Sequence, residues 1–70
     1  MVNMRELEEL WKEAKEIIRK EGEVNRFKLA AMLNVPIYSV YLLAKIYAVD
    51  DLDVAYYKGT FKWIGPIKEG

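Results

Sequence analysis

The run Leu29-Ala30-Ala31-Met32-Leu33-Asn34-Val35-Pro36-Ile37-Tyr38-Ser39-Val40 confines this chain to few folds. It reads as a helix, a tight turn and a second helix. Asn34 suits the left-handed conformation that closes a helix, and Pro36 favours the first position of a new one. Upstream, Phe27, Ala30, Ala31, Leu33 and Leu29 predict a small amphipathic helix over 26–33, whose alanines permit close approach of a partner helix. Downstream, Ile37, Val40, Leu43, Ala44 and Tyr47 recur at helical spacing and predict an inward stripe on a helix over 36–49.

A first helix is expected over 4–21. Asn3 and Glu6 have capping-box spacing, and Leu7, Leu10, Trp11, Ala14, Ile17 and Ile18 form one apolar stripe. Glu8, Lys12, Glu16 and Lys20 follow at four-residue steps on the outside, a solvated ladder contributing about 0.2–0.5 kcal/mol per pair. Gly22 is the expected stop. Glu23-Val24-Asn25 is too short for an independent strand but can add an edge to a sheet formed later, with Asn25 capping the next helix.

After residue 50 the period changes from helical to alternating. Val54 to Tyr57 and Thr60 to Ile64 are aromatic and β-branched, and Lys58-Gly59 between them is a two-residue hairpin signal. A hairpin over 53–64 then pairs Tyr57 with Thr60, Tyr56 with Phe61 and Val54 with Trp63. One face carries Val54, Tyr56, Phe61 and Trp63; the other is mixed, with Ala55, Tyr57, Thr60, Lys62 and Ile64. The placement of Trp11, Tyr56, Phe61 and Trp63 argues for a core rather than a stacking platform. Gly65-Pro66 ends the strand, leaving a short tail over 65–70.

Seventy residues, 53% hydrophobic and 31% charged, predict one small globular domain over 1–70. No apolar stretch is long enough to cross a membrane, and the charged start lacks a signal-peptide apolar region, so a cytoplasmic location is expected. The sequence has no Cys and no His. Disulfides and thiolate metal sites are thereby excluded, as are the commonest general base and pH switch. A phosphate-cradling glycine loop, a nucleophile with its base and a carboxylate dyad are also missing from the pattern, so no enzyme, no cofactor and no metal are expected. The absence of Gln and the wealth of Lys and Glu resemble the bias of thermophile proteins.

The net charge of zero conceals a sorted distribution. Residues 1–23 hold seven Glu against five Lys or Arg, whereas residues 24–49 hold Arg26, Lys28 and Lys45 with no acid. Asp50, Asp51 and Asp53 follow as an expected solvated turn, and Lys58, Lys62 and Lys68 face a single Glu69 thereafter.

Three helices, the second and third joined by a tight turn, followed by a β-hairpin, give an α+β, mostly α chain that resembles the winged helix-turn-helix family, in particular small archaeal-type regulators. The matching string is Leu29-Ala30, Leu33-Asn34-Val35-Pro36 and Ser39-Val40, where many members carry Leu-Ala, Leu-Gly-Val-Ser and Thr-Val. The resemblance implies that the third helix enters the major groove of double-stranded DNA while the hairpin, the wing, lies on the backbone or minor groove. On that geometry Tyr38, Ser39, Tyr41, Leu42 and Lys45 face the groove. Arg26, Lys28, Lys45, Lys58 and Lys62 are the phosphate contacts. The third helix departs from the usual pattern in offering one Lys, one hydroxyl and two phenols where Arg, Lys, Asn or Gln normally read bases. A transcriptional regulator or nucleoid-associated factor, acting as a homodimer, is the expectation. The alternative is a protein-protein interaction module using Tyr38, Tyr41 and Leu42.

Overall fold

The computed structural model describes residues 6–66. Helix α1 (Leu7–Glu21) leads into strand β1 (Glu23–Asn25), then α2 (Arg26–Leu33), α3 (Ile37–Ile46), a 3₁₀ turn (Ala48–Asp50) and strands β2 (Val54–Tyr57) and β3 (Thr60–Trp63). The strands form one antiparallel sheet in the order β1-β3-β2. The domain is thus mostly α, with three helices, a C-terminal hairpin and a short strand added to it, a layout compatible with a winged helix.

Each junction has a local cause. The α1 helix stops at Gly22, whose N–H still donates to the Ile18 carbonyl at 2.7 Å and whose φ of 81° turns the following chain out of the helix. Asn25 caps α2 by accepting from the Lys28 amide at 2.8 Å. Asn34 closes α2 in the left-handed region, at φ 60° and ψ 48°, and its N–H reaches back to Ala31 O. Across this three-residue turn the chain bends by 112° into the following helical segment, within the range of helix-turn-helix pairs. At the hairpin tip Lys58 (φ 51°) and Gly59 (φ 78°) are both left-handed, the pattern of a type I′ turn. The register pairs Val54 with Trp63, Tyr56 with Phe61 and Tyr57 with Thr60, as the alternation predicts.

The core is shared by every element. Leu10, Trp11, Ala14 and Ile18 from α1 meet Leu29, Ala30 and Leu33 from α2 and Val40, Leu43 and Ala44 from α3. Val24, Ala48, Val54 and Phe61 complete it. Phe61 is wholly buried on the central strand, and removing its side chain from water contributes about 1.5–3 kcal/mol. Trp11 stacks on Tyr47, Tyr56 packs on Phe61 at a centroid distance of 4.6 Å, and Tyr56 and Trp63 are half-buried against the same core.

Several expectations need correction. The first helix begins at Leu7 with Glu6 as its extended N-cap residue and no side-chain cap; Asn3 lies outside the described residues, as does most of the 65–70 tail. In α2 the buried face is Leu29, Ala30 and Leu33, whereas Phe27 and Ala31 are exposed. Because β1 runs directly into α2, strand pairing and the Asn25 cap set the helix rotation, and local apolarity does not. Ile37 is also exposed. Pro36 is the N-cap of α3 rather than its first helical residue, and α3 ends at Ile46 instead of continuing to 49. There the chain tightens, with Asp50 N–H donating to Tyr47 O and Asp51 N–H to Ala48 O, so that Ala48 stays in the core. The Glu8, Lys12, Glu16 and Lys20 ladder is exposed, and Glu16 pairs with Arg19 at i,i+3. Among the described residues no single helix is long and apolar enough to cross a membrane.

Candidate nucleic-acid interface

Two backbone devices bring the start of α2 to the wing. Asn25 pairs with Thr60 across β1 and β3, and the Arg26 N–H donates to the Gly59 carbonyl at 2.8 Å. That bond satisfies one of the amides left orphaned at a helix start. The Arg26 side chain lies against the same turn, its Nη1 only 3.1 Å from where a Cβ on Gly59 would sit. The guanidinium also covers the Phe27 ring at 4.9 Å. Arg26 and Lys58 are therefore exposed cations on one corner of the molecule.

The second group lies along α3. Tyr38 and Tyr41, 64% and 49% exposed, stack with centroids 6.1 Å apart. Lys45 extends this row, its Nζ 5.4 Å from the Tyr41 ring centroid. The spacing i, i+3, i+7 puts the three on one helical face. Ser39 is half-buried, with its N–H donating to Pro36 O. Leu42, expected to point outward with the tyrosines, is half-buried, so the apolar content of this face rests on the two rings.

The remaining basic residues are less free. Lys28 forms an exposed ion pair with Glu21 at 3.5 Å. Lys62 is exposed on the outer face of the sheet, in register with Glu23 on one side and Ala55 on the other. Arg26 and Lys58 are thus brought together; Tyr38, Tyr41 and Lys45 form a separate row on α3; and Lys28 and Lys62 each have an acid nearby.

Sequence reasoning missed two residues. Tyr57, placed only on the mixed hairpin face, is 71% exposed beside the wing turn, with Lys58 Nζ 5.4 Å from its ring centroid. Strict alternation from half-buried Tyr56 was the available signal. Asp51, expected in a solvated turn, is a hub: it accepts from the Trp11 indole N–H and the Asp53 amide and pairs with Lys15 at 3.0 Å. Burial opposes its charge, but the Asp53 amide, Lys15 and Trp11 together lower its pKa below the ordinary value. Burial likewise opposes the charge of Lys15, and Asp51 and Asp53 outweigh it and raise the lysine pKa. This cluster braces the entry to the hairpin from α1.

Compared with known families, curated proteins and solved structures, the chain matches no family model, no curated protein and no solved structure.

Proposed function

We propose that this chain is a winged helix-turn-helix module that binds double-stranded DNA without catalysing a reaction, as a transcriptional regulator or nucleoid-associated factor of the cytoplasm. The observation that carries the reading is the Arg26 to Gly59 backbone bond, which holds Arg26 against the wing turn that carries Lys58. In this reading α3 enters the major groove, with Tyr38, Ser39, Tyr41 and Lys45 against the bases and sugar-phosphate wall. Arg26, Lys28, Lys58 and Lys62 neutralise phosphates. With few polar base readers on α3, binding tolerates sequence and depends on salt, log K falling with log salt by about 0.9 per phosphate contact. A homodimer doubles the contacts and supplies affinity that one small module lacks.

Titration of mixed-sequence duplex at low salt tests this. Expected is binding that weakens as salt rises and is lost when Lys45, Lys58 and Lys62 are changed to Glu; no binding at low salt overturns it. A second reading, a protein interaction module, is favoured by the exposed, stacked Tyr38 and Tyr41 beside exposed Ile37. It predicts that Tyr38→Ser with Tyr41→Ser removes a dimer or partner contact while leaving duplex binding intact.

A further inference from the structure

The outer face of the sheet, opposite the core, carries a shallow dish of about 330 Å³ lined by Glu23, Ala55, Tyr57, Lys58, Thr60 and Lys62. Its construction follows from register. Ala55, Lys62 and Glu23 form one cross-strand row, and Tyr57 and Thr60 form the next. The small Ala55 side chain leaves the floor low, Tyr57 stands at one side, and two lysines face one glutamate. The size is at the lower end of small-molecule sites, about 300–1,000 Å³.

We propose that this dish is a second nucleic-acid site, one that takes an unpaired nucleotide of a single strand. The base stacks on Tyr57 above Ala55 and Thr60, and the flanking phosphates sit on Lys58 and Lys62. An exposed aromatic ring beside lysines is the combination that holds single strands, because every base offers a π-face and the backbone supplies the negative charge. A duplex cannot use it, since its base faces are covered by neighbouring pairs. Lys58 rests over the Tyr57 ring in the free chain. Its flexible stem lets the ammonium move to a phosphate and yield the ring face to a base. Glu23, in register with Lys62, lies on the side away from Ala55 and confines the strand to the Tyr57 side. The inference rests on the nucleic-acid reading of the same wing but uses a face that α3 does not share.

The test measures anisotropy of a fluorescein-labelled oligothymidylate of about 12 nucleotides and of a labelled duplex, each titrated at low salt with the full chain. Tyr57→Ala is expected to weaken the single strand about tenfold and leave the duplex unchanged, while Tyr57→Phe keeps both. Tyr41→Ser is expected to do the reverse, weakening only the duplex. Upfield shifts of the Tyr57 ring protons on adding the oligonucleotide give a reading that needs no variant. Absence of single-strand binding, an unchanged affinity of Tyr57→Ala, or equal loss on both probes overturns the proposal. Single-strand binding that needs Tyr57, with no duplex binding, sustains it and overturns the α3 reading instead.

Discussion

The indole N–H of Trp11 donates to the Asp51 carboxylate at 3.1 Å, joining residues 40 positions apart in the chain. Asp51 also holds Lys15 and the Asp53 amide, so a single side chain ties α1 to the segment that launches the hairpin. Removing it strands the Trp11 donor and releases the turn. Asp51→Ala is expected to cost about 1.5–3 kcal/mol by denaturant unfolding, with Asp51→Asn costing less because an amide can still accept from Trp11.

The same cluster sets the pH response. A carboxyl whose pKa is depressed in the folded state adds stability that is present above its unfolded pKa, about 3.9, and is lost as pH falls through the folded value. Asp51 is such a group. Lys15, raised in the fold, contributes stability that is complete below the unfolded lysine pKa, about 10.4, and is lost as pH rises through the folded value. Melting temperature followed across pH should therefore fall below about pH 4 and again above about pH 10. Asp51→Asn should flatten both limbs.

At the wing tip two neighbouring substitutions should have opposite signs. Lys58 occupies a left-handed conformation that disfavours its side chain, and Asn is the preferred residue there. Lys58→Asn should stabilise the fold by about 0.5 kcal/mol. Gly59→Ala meets both the same backbone penalty and the Arg26 guanidinium, and should destabilise by at least about 1 kcal/mol. Thermal unfolding of the pair checks the order.

Phe61 tests whether the sheet and helices share one core. Phe61→Ala should cost about 3–5 kcal/mol, enough to unfold a domain of this size in large part, since Phe61 touches both Trp11 and Tyr56. If circular dichroism shows the helices intact after this change, the hairpin is an appendage and not part of the core.

What could be read from the residues alone followed sequence distance. Asn25, Asn34 and the Lys58-Gly59 turn act on atoms within a few positions of themselves, so their chemistry states their conformation. The hairpin register followed from alternation, and β1 from three residues that needed an edge to join. Asp51 was opaque because two of its partners, Trp11 and Lys15, arrive from the far end of the chain. The rotation of α2 was opaque too, because Phe27 and Ala31 look as apolar as Leu29 and Leu33. The pairing of Val24 with Phe61 and the Asn25 cap decide which of them turns inward. How far Leu42 is covered was open for the related reason that helical spacing gives a direction but not what lies opposite. Of the candidate interface, the residue types were visible in advance. The family resemblance already implied that the start of α2 and the wing share one side; the bond between main-chain atoms that ties Arg26 to the turn was not legible.

That bond separates placement from chemistry at the wing. The amide at position 26 and the Gly59 carbonyl are main-chain groups, so the tip is anchored by atoms that substitution leaves in place unless proline replaces Arg26. Residue 58 can be exchanged without moving the loop relative to the helix start. The chemistry presented at the tip can therefore change while its position against the start of α2 is kept.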